Sequence, residues 1–176
     1  MEIVRDELLP VPGLSREIGL MIAGLEEVRA QTVKFIADLT PEELSARFLP
    51  SFHQIGALAL HLGECEFWWI QSIAARKPIT DEDKQFAHLD DTTESDFALK
   101  GYDANDCIDF LERIHLRTLE TLSGFNDSEL DRLISMDHHP TRFEGSLRWI
   151  IHHLIDHEAN HKGQIAMIKR LIREGS

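Results

Sequence analysis

Cysteine and basic side chains are both scarce in this chain of 176 residues. Its two cysteines, Cys65 and Cys107, are too few for a disulfide framework and are typical of reduced thiols. Lysine and arginine together number 18, against 31 aspartates and glutamates, and the formal net charge is −13 at pH 7. Because a protein that binds nucleic acid must neutralise phosphates with a basic surface, we expect a small-molecule partner and no nucleic acid.

Long apolar runs are also missing. No stretch of the sequence reaches the roughly 18–20 apolar residues that a membrane-spanning helix needs. The N-terminal segment MEIVRDELLPVPGLSRE carries acidic residues where a secretory signal would have a basic start followed by an apolar core. We therefore expect a cytoplasmic protein with no membrane span, and the length fits a single domain over residues 1–176.

Strand signals are weak throughout, since the sequence lacks alternating apolar and polar runs joined by Asn-Gly or Asp-Gly turns. Four long stretches instead carry apolar residues at three- and four-residue spacing, which is typical of amphipathic helices. The predicted helices cover residues 13–39, 54–75, 103–123 and 146–173. The sequence thus predicts an all-α four-helix bundle, with a long polar connection between the second and third helices that has room for one helical turn.

Local signals mark several helix ends. Thr40, Pro41 and Glu43 form the pattern of a capping box, which predicts a further short helix after the first long one. Pro78 ends the second long helix, because the residue before a proline avoids the helical conformation. Asp103 is the expected N-cap of the third long helix.

Ten histidines are many for a chain of this size, and their placement is more informative than their number. The fourth predicted helix has a continuous apolar stripe whose central members are His157 and His161, one helical turn apart. The second helix has a comparable stripe that contains His61, with Cys65 one turn later. We therefore predict that the three histidines point into the core. The two stripes consist of Leu147, Ile150, Leu154, His157, His161, Ile165, Ile168 and Ile172, and of Leu58, His61, Cys65, Trp68 and Ser72.

Buried imidazoles need partners for their ring nitrogens, because an unpaired polar group in an apolar core is costly. A divalent metal satisfies three imidazoles at once, and its remaining positions stay open to water, as in a catalytic site. An alternative without metal is a polar network in which Asp156 or Glu158 caps His157 and His161. Cys65 is either a thiolate ligand or a small buried apolar residue.

The remaining candidates carry weaker signals. His153, one turn before His157, either borders the site or covers the end of the bundle. His53, at the start of the second helix, is expected to be a surface or capping residue. Trp68 and Trp69 are expected either to wall a pocket or to pack in the core. The other histidines are His152, which has no clear place in the site, His138 and His139, which lie in a loop, and His88 and His115, which carry no signal.

The segments IGALALHLGECEFWWI and SLRWIIHHLIDHEANHKGQIAMI together resemble the DinB superfamily of metalloenzymes (DinB/YfiT-like). The first shared motif is a histidine on helix two, here His61, a few residues before an acidic and aromatic cluster. The second is a His-x-x-x-His on helix four followed closely by Gly-Gln, here His157 and His161 followed by Gly163 and Gln164. The resemblance covers nearly the whole chain in helix order and length.

This resemblance implies a four-helix bundle whose metal ligands are His61, His157 and His161. It implies a divalent metal, zinc or nickel, and imidazole also serves manganese and iron. Some members of the family are thiol S-transferases that use bacillithiol, mycothiol or a related low-molecular-weight thiol, and others are thiol-dependent isomerases. Many relatives have a histidine and an arginine at the positions of Asn160 and Lys162, so that edge of the motif differs here.

Three functions stay open on the sequence. The leading one is a metal-dependent thiol S-transferase, in which a thiolate attacks an electrophile and Glu158, Asn160 and Gln164 are candidates for residues that support the ligands. The second is a metal-dependent hydrolase with Glu64 or Glu66 as the base. The third is a bundle that binds a metal or ligand without catalysis. A homodimer that pairs through a helix face is compatible with each function.

Overall fold

The computed structural model describes residues 7–89, 97–138 and 141–175, and the chain is largely helical over these ranges. Its helices are α1 (Arg16–Ile36), α2 (Pro41–Ser45), α3 (Ile55–Phe67), α4 (Asp81–Ala87), α5 (Phe97–Lys100), α6 (Ala104–Leu122) and α7 (Leu147–Glu174). α3 continues directly as a π-helical segment, Trp68–Ala74. A 3-10 turn, Asp127–Glu129, precedes two strands, β1 (Leu133–His138) and β2 (Thr141–Ser146).

Four long helices surround the core. α1 packs against α7 and α6, and α3 packs against the same two helices, which places α1 and α3 diagonally opposite each other. The ends of the four helices lie within three residues of the predicted ones when α3 and the π-helical segment are taken together. In the described ranges, no helix combines the length and the apolar character that crossing a membrane requires.

The predicted caps are confirmed. Thr40 and Glu43 form the reciprocal capping box of α2, with Pro41 in the first turn. The carboxylate of Asp103 accepts hydrogen bonds from the backbone of Asn105 and Asp106 at the start of α6. Short polar side chains at these positions satisfy backbone N–H groups that have no partner inside the helix, and this is why the local signal survives in the fold.

The prediction of an all-α chain is confirmed only in part, because β1 and β2 form a small antiparallel hairpin before α7 in a chain that is otherwise largely helical. Ile134 pairs with Gly145 and is 2% exposed, whereas its neighbour Leu133 is 63% exposed, so the apolar alternation of a strand is present but short. The sequence between the two strands contains no Asn-Gly or Asp-Gly pair, the signal on which the prediction relied. His138 ends β1, and His139, assigned to a loop by the sequence, lies outside the described residues.

The connection between α3 and α6 is more helical than predicted, since it contains α4 and α5 rather than one turn. Thr80 and Asp83 form a capping box at the start of α4. The signal was in the sequence, because Thr80 is followed three residues later by an acidic side chain that can reach back to its backbone N–H.

The apolar core is divided into two clusters along the long helices. On α7, Leu154 belongs to one cluster and Ile165 to the other, and on α1 the same division separates Leu25 from Ile36. The stretch of α7 between the two clusters carries the histidines that the sequence singled out. The candidate site therefore lies at the level of the boundary between the two clusters.

Gly63 allows α6 to approach α3 closely beside this level. A Cβ atom at Gly63 would lie 2.3 Å from Cε1 of Phe110, far inside van der Waals contact. The ring of Phe110, which is 2% exposed, instead packs against the backbone of α3. This contact sets the distance between α3 and α6 at Gly63, two residues after His61.

Candidate metal centre

α3 and α7 bring the three predicted histidines together. The ring centroid of His61 on α3 lies 5.1 Å from that of His157 and 5.2 Å from that of His161, both on α7. The rings of His157 and His161 are 4.5 Å apart, and their Nε2 atoms are separated by 3.2 Å. Residues nearly one hundred positions apart in the chain thus form one cluster of imidazoles across the interface of two helices.

The histidines do not point into the core as predicted. All three are partly exposed, and 45% of the His61 side chain is accessible. The core positions of the two helices are taken instead by Glu158, 2% exposed, and Glu66, 1% exposed. Steps of three and four residues fit more than one face of a helix, since both His157 and Glu158 follow Leu154 at such a step. The face that is buried is the one that carries the glutamate.

Cys65 belongs to the same cluster. Its Sγ lies 3.5 Å from Nε2 and 3.7 Å from Nδ1 of His61, one helical turn earlier on α3. One ligand atom each from His61, Cys65 and His157 can be chosen so that the three lie within 4.8 Å of one another. Burial, and to a lesser degree the charge of Glu64, raises the pKa of the Cys65 thiol to about 12.

The electrostatics of the cluster favour neutral imidazoles. Burial lowers the pKa of His157 to about 4, and the neighbouring His161, His61 and His153 add to the shift. Burial also lowers the pKa of His61, with further contributions from His161 and from the exposed His53. A neutral imidazole has a lone pair available for a metal, so these rings need not lose a proton first at neutral pH.

The spacing of these donors fits a divalent cation. A tetrahedral zinc site with Zn–N bonds of about 2.0–2.1 Å and a Zn–S bond of about 2.3 Å has N···N edges of about 3.4 Å and N···S edges of about 3.6 Å. The two Nε2 atoms on α7 are 3.2 Å apart, close to that N···N edge, whereas Sγ of Cys65 lies beside the ring of His61, 3.5 Å from Nε2 and 3.7 Å from Nδ1. Imidazole nitrogen and thiol sulfur suit zinc, nickel or iron, and the cluster could hold a divalent cation.

Gln164 is the supporting residue whose position best matches the prediction. Its Oε1 accepts a hydrogen bond from Nδ1 of His161 at 3.0 Å, which leaves Nε2 of that ring facing His157. Asn160 is exposed at the surface of α7. Glu158 lies on the buried side of the helix, next to the face that carries the histidines, where it is bound by Arg29. Fixing the tautomer of a ligand through its second nitrogen is a recurrent feature of metal sites in proteins.

A group of aromatic rings, called here the aromatic wall, borders the histidine cluster. It consists of Trp69, Phe143, Trp149 and His153. His153 stacks on Trp149 with a centroid distance of 4.9 Å and an interplanar angle of 4°, and its ring is 5.8 Å from that of His157. Trp69 packs against Trp149 at 5.6 Å and against Phe143 of β2 at 5.9 Å. The hairpin that sequence reasoning missed therefore helps to build the surroundings of the site.

A buried charged cluster, defined by Arg29, Glu66, His115 and Glu158, lies on the inner side of the same helices. Arg29 on α1 donates from Nε and Nη2 to the two carboxylate oxygens of Glu158, at 2.6 and 2.8 Å. Its Nη2 also donates to Glu66 on α3 at 2.8 Å. The other oxygen of Glu66 lies 3.1 Å from Nδ1 of His115 on α6, whose Nε2 lies 3.1 Å from Glu26. The cluster links all four long helices.

The side chains of the buried charged cluster stabilise one another's charged forms. Burial opposes ionisation of Glu66, but Arg29 and the hydrogen bond with His115 outweigh it and keep the pKa of Glu66 low, at about 2. Burial likewise works against the charged form of His115, but the hydrogen bonds with Glu66 and Glu26 and the charge of Glu66 raise its pKa above the ordinary value. Sequence reasoning gave His115 no role, because nothing local in the chain indicates its partners on α1 and α3.

Replacing His115 by glutamine should make the protein less stable mainly at acidic pH. The raised pKa of His115 in the folded state contributes stability that is fully present below the unfolded pKa of about 6.5 and is lost as the pH rises through the folded value. The difference in the free energy of unfolding between the natural protein and His115→Gln should therefore be larger at pH 5.5 than at pH 8.5. Urea unfolding at both pH values measures it.

His152→Gln is the matched control for this prediction, because His152 is exposed on α7. Its unfolding free energy should follow that of the natural protein at both pH values. A His115→Gln effect that is equal at pH 5.5 and 8.5 would contradict a charged His115 in the buried cluster.

The sequence matches a family model described as mycothiol-S-transferase over residues 20–174. No curated protein matches it. The fold is similar to that in a crystal structure of a conserved protein from Enterococcus faecalis, with a TM-score of 0.69 and 15% sequence identity, covering 88% of this chain and 96% of that one. At this identity the similarity to the solved structure shows the fold alone.

Proposed function

The chain belongs to the mycothiol-S-transferase family, a DinB-like family, and we propose that it transfers a low-molecular-weight thiol to an electrophile at a divalent-metal centre. The observation that carries the proposal is the convergence of His61, His157 and His161 across α3 and α7. We propose that these three histidines are protein ligands of zinc or nickel. We further propose that the four long helices form the four-helix bundle of the family, as one domain over residues 1–176.

A divalent cation at this site would supply positive charge that favours the thiolate form of a thiol beside it. Histidine binds a metal as a neutral imidazole, so ligands of this type do not cancel that charge. Gln164 holds the ring of His161 through Nδ1. The thiolate sulfur attacks a carbon of the electrophile, a C–S bond forms, and the leaving group departs with the electron pair of the broken bond.

The aromatic wall supports the same chemistry. Trp149 and His153 offer stacked flat surfaces beside His157, and Trp69 closes the wall on the side of α3. Apolar faces next to the reacting sulfur exclude water, which would otherwise solvate the thiolate and weaken it as a nucleophile. We propose that an apolar or aromatic electrophile lies against this wall.

The geometry favours thiol transfer over the hydrolase alternative. Hydrolysis needs a carboxylate that can take a proton from water beside the metal. Glu66 is 1% exposed and is engaged by Arg29 and His115, so it cannot serve as that base. Glu64 lies 3.9 Å from Nδ1 of His61, a position suited to orienting that ring.

Protein reconstituted with zinc or nickel should form a thioether conjugate from a model electrophile, such as a bimane halide, only when a low-molecular-weight thiol is present. Mycothiol and bacillithiol are the thiols to compare, and the products are separated by chromatography and identified by mass. Chelator-treated protein is the control, and it should give only the uncatalysed rate. Hydrolysed electrophile without thiol would support the hydrolase, and the uncatalysed rate with every thiol would contradict the proposal.

A homodimer remains part of the proposal. Exposed apolar side chains include Trp68 at the start of the π-helical segment, Leu116 on α6 and Met167 on α7. Each offers an apolar helix surface for pairing with a second copy of the chain. Sedimentation of the metal-loaded protein tests this directly, since a single monomer species at micromolar concentration would contradict it.

A further inference from the structure

Cys65 is the one donor of the cluster that the proposed ligand set does not use. It follows His61 by four residues on α3, so both side chains leave the same face of the helix. Building on the proposed metal centre, we propose that Cys65 is a fourth protein ligand, which gives the centre three nitrogen donors and one sulfur donor. The inference concerns this chain's own cysteine and does not depend on catalysis.

The distances support a shared metal. Sγ of Cys65 lies 3.5 Å from Nε2 and 3.7 Å from Nδ1 of His61, so the sulfur lies beside the imidazole, and a turn of that ring about its χ2 bond would direct one nitrogen to a metal shared with Sγ. The set of donors within 4.8 Å of one another contains Cys65 together with His61 and His157. Sulfur and nitrogen donors therefore lie close together between α3 and α7.

The ordinary structural role of a buried cysteine does not account for Cys65. Cys107, the other cysteine, is completely buried in an apolar core cluster with side chains such as Phe110 and Leu111, where it acts as a small apolar residue. Cys65 is only partly buried and belongs to neither apolar cluster. Its nearest polar partner is instead the imidazole of His61.

A fourth protein ligand changes how a thiol reaches the centre. Three histidines would leave one position of a tetrahedral centre open, and Cys65 as a thiolate would fill it. A substrate thiol could then bind only by taking the place of Cys65, which would take up a proton as the incoming thiol gives one up. The sulfur donor also selects zinc, cobalt or nickel over manganese, which prefers oxygen ligands.

Cobalt(II) reports on sulfur ligation directly. Titration of the natural protein with cobalt(II) should produce visible d–d bands together with a sulfur-to-cobalt charge-transfer band in the near ultraviolet. In Cys65→Ser the charge-transfer band should disappear while d–d bands remain. Cys107→Ala is the matched control and should keep both, and Cys65→Ala with far-ultraviolet circular dichroism guards against a folding defect of the serine variant.

The outcomes separate this inference from the proposed function. A charge-transfer band that persists in Cys65→Ser overturns the ligand role of Cys65, and so do d–d bands without charge transfer in the natural protein. No d–d bands in any variant would overturn the metal centre itself.

A second measurement uses zinc and alkylation. The zinc affinity of Cys65→Ser should be at least about tenfold weaker than that of the natural protein, since even the loss of an outer-shell partner costs about 10–100-fold. Zinc should also slow the alkylation of Cys65 by iodoacetamide, followed by mass spectrometry of the modified peptide. An equal zinc affinity in Cys65→Ser, or an alkylation rate that zinc leaves unchanged, would contradict the proposal.

Discussion

His157→Ala should bind zinc or nickel more than about 100-fold more weakly than the natural protein, beyond the upper end of what the loss of an outer-shell partner costs. The Nε2 atom of His157 lies 3.2 Å from that of His161, and its ring packs against that of His61, so it is the central donor of the cluster. Its lowered pKa, about 4, keeps the ring neutral and ready to bind at neutral pH. Calorimetry with each metal, and metal analysis after purification, measure the loss.

His152→Ala is the matched control, because His152 is exposed on the same helix five residues before His157. It should bind metal like the natural protein. His161→Ala completes the design, since His161 is proposed as a ligand but lies outside the group of His61, Cys65 and His157, whose donor atoms lie within 4.8 Å of one another. If His161→Ala keeps full affinity while His157→Ala loses it, the ligand set is the group with Cys65; full affinity in both would refute the centre.

The same variants should fold normally, which makes the loss of metal easy to interpret. His157 and His161 are only partly buried, and neither belongs to the apolar clusters of the core. Large changes in stability come from cavities, unpaired buried charges or lost caps, and removing these imidazoles causes none of the three. Conjugate formation in the thiol assay should fall together with metal binding.

The long helices and the pairing of His157 with His161 could be predicted from the sequence because both depend on local spacing. A step of three or four residues on one helix decides that His157 and His161 lie side by side, whatever the rest of the chain does. The capping box at Thr40 and the N-cap at Asp103 are equally local. The long helices therefore end within three residues of their predicted ends.

The depth of the histidines could not be predicted in the same way. Both Glu158 and His157 continue a three- and four-residue stripe on α7, and the choice between them depends on what faces the helix. Arg29 on α1 provides the partner that makes a buried carboxylate stable, and so Glu158 takes the core position. Arg29 is 129 residues away from Glu158 along the chain, and spacing in the sequence does not show that the two side chains are partners.

The hairpin and the role of His115 were missed for a related reason. β1 and β2 are short, and their pairing is decided by the register that buries Ile134 rather than by a recognisable turn. His115 gains its function from Glu66 and Glu26, which lie on two other helices. Contacts between distant elements decide both features, and a single sequence shows no periodicity for them.

Arg29→Met should lower the free energy of unfolding by about 3–5 kcal/mol, the range expected when one partner of a buried ion pair is removed. Methionine fills a similar volume but leaves Glu66 and Glu158, 1% and 2% exposed, without the cation between them. Arg29→Lys should lose less, because lysine keeps the charge but cannot donate in a fork to both oxygens of Glu158. Urea unfolding measures each variant, and Arg16→Met, at an exposed position of α1, should stay within about 0.5 kcal/mol of the natural protein.

Neutralising the two carboxylates should restore much of this stability, and that rescue separates charge burial from simple packing. In Arg29→Met combined with Glu66→Gln and Glu158→Gln, no buried charge lacks a partner, and replacing a whole buried ion cluster is often neutral. A triple variant no more stable than Arg29→Met would contradict the electrostatic explanation. Arg29 also connects α1 to the two helices that carry His61 and His157. Zinc affinity should therefore fall in Arg29→Met. It should recover in the triple variant only if that variant restores the spacing of α3 and α7.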